Sequence, residues 1–385
     1  MRGWTAILVF STLLDGLVVG LVLAWCGRVS RRVGRNPYVR LSHVLAAAAA
    51  GSVLFAAKLP LHVLLGVRFF GLAHLVYGVV AVLAPAFALA IVAGAVVARW
   101  RGGPRPFSVP VVVLAGFCLL TIPVTVRATF VEPYRLVVEA VEVPILRGSP
   151  AGPPIRVGVL ADLQTDRVTE YERQAVDRLL SLRPDIILLP GDFFQPAPGM
   201  FEQELPALRE LLARLDAPGG VYAVQGNIDD RRNLLRMFEG TAIRLLDNEV
   251  TRVRVGGRTL AIGGVEFWFA GPAAEGAVRA LGEMRDCDAR ILVSHTPDVV
   301  LGLRAGDGVD LVVSGHAHGG QVQIPGLGPL VTACQAPRAT AAGGLTRVNG
   351  VYTYVSRGVG HERGMSPRVR LFCPPEMSLL TLIPR

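Results

Sequence analysis

Short polar motifs, each lying just after an apolar run, dominate the second half of this 385-residue chain. They are Ala-Asp-Leu-Gln at 161–164, Gly-Asp at 191–192, Gly-Asn-Ile-Asp at 226–229, Ser-His at 294–295 and Gly-His-Ala-His at 315–318. The runs before them are short and apolar, which is typical of buried strands. Because the carboxyl ends of neighbouring parallel strands meet at one edge of a sheet, we expect the motifs to converge there.

Strand and helix signals alternate through the same half of the chain, which predicts an α/β fold. Strands are predicted at residues 155–160, 186–189, 221–224, 259–262, 291–293 and 311–313, with strand-like alternation at 135–143. Helices are predicted at residues 172–182 and 204–215, where apolar residues recur at helical spacing.

The side chains of these motifs are oxygen and imidazole donors, the mixture that borderline divalent metals take. A single Gly-Asp or Gly-Asn is an ordinary turn, but five such clusters at one predicted edge favour a metal site. The candidate ligands are Asp162, Gln164, Asp192, Asn227, His295, His316 and His318.

The first third of the chain is strongly apolar, and the whole chain has a mean hydropathy of +0.46. Four stretches, residues 5–25, 42–66, 72–98 and 109–130, are each about long enough to cross a ~30 Å hydrocarbon core. The sequence therefore predicts a four-span transmembrane region at 1–130, a connector at 131–154 and a globular domain at 155–385.

Charge is divided unevenly between these parts. The first 130 residues carry a net charge of +11, which leaves −2 for the rest of a chain whose total is +9. The globular part lacks the excess of basic residues that is needed to neutralise the phosphates of a nucleic acid. We therefore expect no nucleic-acid partner. Arg is concentrated in the first and third loops between the spans, whereas the second loop has only Arg68. The positive-inside rule then predicts a multi-pass protein of the cell membrane with an extracytoplasmic catalytic domain.

Several segments together resemble the calcineurin-like metallophosphoesterases, and among them the membrane-associated bacterial branch often labelled YkuE-like. The residues that carry the resemblance are 183–192, 226–227, 294–298, 314–321, 354–358 and 374–376. The resemblance implies a four-layer α/β/β/α sandwich, here preceded by the four-helix transmembrane segment. It also implies two divalent ions, drawn from Mn, Fe, Zn or Mg, and hydrolysis of phosphomonoesters or phosphodiesters by attack of a metal-bridging hydroxide on phosphorus.

The same resemblance implies roles for individual residues. Asp162 and His318 would bind the first ion, with Gln164 beside them. Asp192 would bridge both ions, and the second ion would be held by Asn227, His295 and His316. Asp192 and Asn227 would also be catalytic, and Gln321 would contact the substrate.

Two positions depart from the family motif. Gln164 stands where the family has His, and its amide oxygen is a harder ligand that favours Mn²⁺ or Mg²⁺. Ile228 replaces a His that contacts the phosphate and protonates the leaving group, and an alkyl group can do neither. We expect weakened general acid catalysis, with Asp229, Asp230 or His361 as candidate substitutes.

The principal hypothesis is a membrane-anchored phosphoesterase whose partners are the membrane and a phosphate ester, with a lipid-linked ester as one option. The alternative is a catalytically weakened or inactive metal- or phosphate-binding membrane sensor. Gln164 and Ile228 motivate that alternative, as do Asp15 and Lys58 within predicted spans. A transporter is the third class, but four spans offer little pathway.

Overall fold

The computed structural model describes residues 69–102, 107, 109–148, 152–196, 199–267, 269, 271–329, 331–363 and 366–385. The chain divides into two compact units. One contains Met1–Arg127 with Gly364–Pro367, and the other contains Ala128–Arg363 with Arg368–Arg385.

Most of the described residues of the first unit are helical. Helix α1 (Phe69–Gly78) continues through a π-helical turn (Val79–Leu83) into α2 (Ala84–Trp100). After a break come α3 (Val109–Leu119) and α4 (Thr121–Val126), extended by a second π-helical turn (Arg127–Val131).

Two helical stretches are long and apolar enough to cross a membrane, Val76–Trp100 and Val111–Tyr134, with mean hydropathies of 2.6 and 2.1. They coincide with the third and fourth predicted spans. The first two predicted spans, residues 5–25 and 42–66, lie outside the described residues. A four-span segment therefore stays a prediction.

The second unit contains two six-stranded sheets and a small hairpin. Its strands are β1 (Val137–Leu146), β2 (Ile155–Val159), β3 (Ile186–Leu189), β4 (Val221–Ala223), β5 (Ile243–Leu245), β6 (Glu249–Val255), β7 (Arg258–Val265), β8 (Ala289–Ser294), β9 (Leu311–Ser314), β10 (Gln323–Ile324), β11 (Gly328–Pro329), β12 (Gly344–Val348), β13 (Val351–Val355) and β14 (Glu376–Pro384). The sheet orders are β1-β14-β2-β3-β4-β5 and β12-β13-β9-β8-β7-β6, and β10 pairs with β11. Each sheet contains four adjacent parallel strands, β2 to β5 in the first and β7, β8, β9 and β13 in the second.

Alternation along the strands explains the layers. In β3, Ile186 and Leu188 enter the core between the two sheets, while Ile187 and Leu189 pack in the core on the opposite face. That opposite face is covered by three helices, α5 (Glu170–Ser181), α6 (Phe201–Leu212) and α7 (Arg231–Phe238). The outer face of the second sheet packs on α8 (Pro272–Glu283), and a short α9 (Arg338–Ala341) precedes β12. The predicted α/β/β/α layering is thus present in this unit.

The six predicted strands and the two predicted helices are confirmed, with shifted ends. Helix α5 begins two residues before its predicted start because Thr169 caps it, accepting the backbone N–H of Tyr171 at 3.2 Å. The alternation predicted at 135–143 is strand β1, which pairs along its length with β14. The domain boundaries at 130 and 154 stay predictions.

Candidate metal centre

The five polar motifs lie at the carboxyl ends of parallel strands from both sheets, as predicted. Asp162, Asp192 and Asn227 follow β2, β3 and β4, while His295 and His316 follow β8 and β9. The two sheets meet at this edge, since the backbone N–H of His316 donates to Oδ1 of Asp162 at 3.0 Å.

Nε2 of His295 is the centre of a crowded group of potential ligands. It lies 2.9 Å from Oδ1 of Asn227, 3.3 Å from Oδ1 of Asp192 and 3.1 Å from Nδ1 of His316. One ligand atom each from Asp192, His295 and His316 falls within 4.8 Å of the other two. His295 and Asp192 are fully buried, and His316 is half-buried.

Backbone carbonyls determine which nitrogen of each ring faces this group. Nδ1 of His295 lies 2.7 Å from the carbonyl oxygen of Pro190, and Nε2 of His316 lies 3.2 Å from that of Ala333. A carbonyl oxygen only accepts, so these two nitrogens are the donors. In the neutral rings the opposite nitrogens then turn their lone pairs toward Asp192. Such an arrangement of acceptors needs a cation among them, and it fits a divalent metal.

The electrostatics of the metal-free site agree with this need for positive charge. Burial alone would lower the pKa of His295, but the charge of Asp192 and its hydrogen bond raise that pKa to about 9. Burial would likewise raise the pKa of Asp192, yet His295 outweighs it and lowers the pKa. Burial and the neighbouring charge of His295 lower the pKa of His316 to about 4. The pKa shifts of Asp192 and His295 follow from the need of this carboxylate for positive charge nearby.

A second group of donors surrounds Asp162, which has no exposed surface. Nε2 of His318 lies 4.0 Å from Oδ1 of Asp162. Burial raises the pKa of Asp162 to about 7. Among the described residues, Nε2 of His318 and Oε1 of Gln164 are buried without a hydrogen-bond partner. Buried polar atoms without partners are costly unless a ligand completes them, so this set of side chains also fits a metal ion.

The orientation of the Gln164 amide is determined by its neighbours. Its Nε2 donates to Oε1 of Gln195 at 3.1 Å and to Oε2 of Glu362 at 3.4 Å. Both partners are acceptors, so they favour the rotamer that turns the nitrogen toward them and the oxygen away. The oxygen is the atom left without a partner. Gln164 therefore turns an unpartnered oxygen toward the candidate metal centre.

The loops that carry these residues are strained. Left-handed φ angles occur at Asp162 (49°), Gln164 (38°), Asp192 (58°), His316 (65°) and His318 (47°). Non-glycine residues seldom take such angles, and those that do cluster at functional sites. Glycines admit the close approach of the chains. A Cβ on Gly226 would lie 2.1 Å from Oδ1 of Asp192, and one on Gly315 would lie 2.4 Å from Oδ2 of Asp162.

The three residues considered as substitute proton donors are either held by hydrogen bonds to the backbone or buried. The carboxylate of Asp229 accepts three backbone N–H groups, those of Asp192, Phe193 and Gly226, at 2.7–2.9 Å. Asp230 caps α7. His361 is buried, and burial lowers its pKa to about 3. Its Nε2 has no hydrogen-bond partner within the described part of the chain.

Ile228 and Gln321 contribute to the site through contacts other than those predicted. The backbone N–H of Ile228 donates to Oδ1 of Asp192 at 3.1 Å, so this position still supports the bridging candidate. Oε1 of Gln321 accepts the backbone N–H of Glu362 at 2.7 Å and thereby holds the loop that carries this acid.

Several residues of the site carry no signal in the sequence. Glu362 and Gln195 orient Gln164, and the ring of Phe267 packs 5.8 Å from that of His295. Arg370 is fully buried, donates to the carbonyl of Arg357 at 2.7 Å and lies 3.4 Å from Nδ1 of His318. They come from loops without regular spacing, so only the fold brings them together.

The chain is similar to a known protein family, to individual relatives and to solved structures. A family model described as "Calcineurin-like phosphoesterase" matches residues 155–320. The uncharacterized metallophosphoesterase YkuE of Bacillus subtilis is 30% identical over 209 residues, covering 52% of this chain and 68% of that protein. Phosphodiesterase YaeI of Escherichia coli is 27% identical over 245 residues, covering 60% of this chain and 83% of that protein. Among solved structures, a 5′-nucleotidase precursor from Thermus thermophilus matches with 16% identity and a TM-score of 0.39, covering 60% of this chain and 54% of that one.

We predict that Gly226→Ala weakens Mn²⁺ binding by about 10- to 100-fold, because the new Cβ would displace the carboxylate of Asp192. The matched control is Gly276→Ala in α8, where a Cβ meets nothing within 4 Å. Titration with Mn²⁺ measures both variants. Equal affinity in the two variants and the parent protein would contradict this placement of Asp192.

We also predict that Gln164→His shifts the metal preference toward Zn²⁺ and away from Mg²⁺, because imidazole replaces a hard amide oxygen. Competition titrations with a chelator measure the preference directly. Gln174→His, at an exposed position of α5, is the control. An unchanged preference in Gln164→His would show that this side chain does not reach the metal.

Proposed function

This chain belongs to the calcineurin-like phosphoesterase family, and we propose that it hydrolyses phosphate esters with the help of two divalent metal ions. The observation that carries the proposal is the group of acceptors around Nε2 of His295. The group comprises the buried Asp192 and His295, the half-buried His316 and the exposed Asn227. All four are of types that metals bind, and their lone pairs would otherwise repel one another. We therefore infer that the group functions by binding a cation.

We assign the ligands in two sets. Asp162, Gln164 and His318 would hold one ion, and the two orphaned atoms of this set support the assignment. The other ion would be held by Asn227, His295 and His316. Asp192, whose carboxylate lies beside His295, would serve both ions.

When bound, the ions would activate water as a nucleophile and neutralise charge at phosphorus. The chain's own residues would orient the ester. The amide oxygen of Asn227 faces His295, so its NH₂ group is directed away and can donate to a phosphoryl oxygen. Asn227 is exposed, which gives an ester access to it. Pro190 and Ala333 keep the two imidazoles in the orientation that binds metal rather than substrate.

The missing proton donor restricts the substrates. Ile228 cannot protonate a leaving group, and Asp229 is held by three backbone N–H groups. We therefore propose esters whose leaving group departs without strong acid assistance. We favour phosphodiesters over phosphomonoesters because the Escherichia coli relative is named a phosphodiesterase.

We propose that the enzyme is anchored in the cell membrane with its catalytic unit outside the cytoplasm. Two apolar helices of sufficient length and the distribution of Arg among the predicted loops support this. An enzyme held there meets lipid-linked and envelope phosphodiesters, which we propose as its substrate class.

Asp192→Asn should lower kcat by more than roughly 100-fold, since even the loss of a residue that supports a metal ligand costs 10–100-fold. The assay is hydrolysis of bis(p-nitrophenyl) phosphate by the full chain in neutral detergent with Mn²⁺. Asp177→Asn, an exposed carboxylate of α5, is the matched control and should keep full activity. Turnover by Asp192→Asn at the parent rate would contradict the assignment.

Ile228→His should raise turnover of a poor leaving group about 100-fold, because it returns a general acid to the site. Methyl phenyl phosphate tests this, and methyl p-nitrophenyl phosphate should change little because its leaving group needs no proton. The matched control is Ile324→His on the exposed β10. If neither the parent nor Ile228→His turns over any ester while both bind Mn²⁺, the sensor alternative is the correct one.

A further inference from the structure

A cavity of about 620 Å³ opens at the edge of the sheets opposite the candidate metal centre. Arg290 lies at the start of β8 and lines it, whereas His295 directly follows the end of that strand. Asp310 likewise precedes β9, and His316 follows it. Four residues of β9 at about 3.3 Å each separate the two edges by roughly 13 Å. The cavity is therefore distinct from the metal centre.

The cavity is strongly basic. Among its lining residues are a single carboxylate, that of Asp310, and five guanidinium groups, those of Arg147, Arg285, Arg290, Arg347 and Arg385. These side chains carry a net charge of +4, within a segment, residues 131–385, whose total is −2. Positive charge is thus concentrated here against the trend of the surrounding unit.

Asp310 contacts three of the five guanidinium groups but cannot neutralise them. It accepts from Arg147 at 2.6 Å, from Nε of Arg290 at 3.3 Å and from Arg385. One negative charge leaves two of these positive charges uncompensated. Burial and the charges of Arg290 and Arg385 lower the pKa of Arg147, against the opposing effect of Asp310.

The other two guanidinium groups are free to meet a ligand. Arg285 and Arg347 are exposed, and neither forms an ion pair with a carboxylate among the residues that the structure describes. The guanidinium of Arg347 lies 4.3 Å from the ring centroid of Tyr352, which also lines the cavity. This cation–π contact restrains Arg347 at the rim.

Two glycines that line the cavity, Gly282 and Gly308, lie against the guanidinium of Arg290. Nη1 of Arg290 donates to the carbonyl of Gly282 at 2.8 Å. Gly308 has a left-handed φ of 84°, and a Cβ there would lie 2.8 Å from the same Nη1. The buried Arg290 is thus held in one position by backbone that leaves no side chain in its way.

We propose that this cavity binds a multiply charged, phosphate-bearing anion at a site separate from the ester that reacts at the metal centre. Guanidinium groups match phosphate oxygens with paired hydrogen bonds, and several of them facing one space favour a dianion or polyphosphate over a single carboxylate. The volume lies within the usual range for a small-molecule ligand. Two sources supply this chemistry, a soluble phosphate compound and a phospholipid headgroup.

The test is calorimetric titration of the full chain, in neutral detergent with EDTA, by inorganic pyrophosphate. EDTA removes divalent ions, so the metal centre does not attract the probe. The double variant Arg285→Gln/Arg347→Gln should bind pyrophosphate at least about 10-fold more weakly than the parent. Neither residue contacts Asp310, and Arg347 loses only its exposed contact with Tyr352, so the thermal midpoint should change little.

The matched control is Arg254→Gln/Arg279→Gln, which removes the same charge from exposed positions that do not line the cavity. It should bind pyrophosphate as the parent does. Equal weakening in both double variants, or no binding by the parent, would overturn the proposal. Esterase turnover with Mn²⁺, measured alongside, should be the same in all three proteins.

A second arm distinguishes the two sources of the ligand. Dihexanoyl phosphatidate, a short-chain phospholipid, replaces pyrophosphate in the same titrations. Tighter binding of the phosphatidate, lost in the Arg285/Arg347 variant and kept in the control, identifies a lipid headgroup as the ligand. Tighter binding of pyrophosphate with the same pattern of loss identifies a soluble phosphate compound.

Discussion

The need for positive charge among converging acceptors is the constraint on which the site depends. The lone pairs of the two imidazoles face the oxygens of Asp192 and Asn227. Nε2 of His295 lies 2.9 Å from Oδ1 of Asn227, 3.1 Å from Nδ1 of His316 and 3.3 Å from Oδ1 of Asp192. Carbonyl partners on the far side of each ring prevent the imidazoles from turning away. A buried group of this kind is stable only with a cation among its members, either a proton on His295 or a metal ion. Against the effect of burial, the charge of Asp192 raises the pKa of His295, which reflects the same need for positive charge in this group.

The two-sheet architecture holds the strained loops of the site in place. Parallel strands in both sheets end at the same edge, and the core between the sheets, which includes Ile186 and Leu188, holds those ends in register. The left-handed φ angles at five candidate ligands are retained because the flanking strands are fully buried. The opposite edge carries the Arg-lined cavity. The same sandwich therefore carries two separate groups of polar side chains, the candidate metal ligands at one edge and the arginines of the cavity at the other.

The strands that carry the site could be predicted because they are continuous apolar runs ending in polar motifs. The three-residue strand β5, the longer strand β6 and the helices α7 and α8 lack such an apolar run followed by a polar motif. Within the site, the donors were identified by type, and the assignment of each to an ion remains a proposal. The roles of Glu362, Gln195 and Arg370 could not be foreseen, because loops distant in sequence bring them to the metal centre. The five arginines of the cavity are equally dispersed along the chain.

The central claim is that this edge binds divalent ions with Gln164 among the side chains that surround them. Anomalous diffraction from crystals of the protein loaded with Mn²⁺ tests it most directly. The account predicts one peak bounded by Asp192, Asn227, His295 and His316 and a second beside Asp162 and His318. A map with no anomalous peak near Asp192 at saturating Mn²⁺ would contradict it.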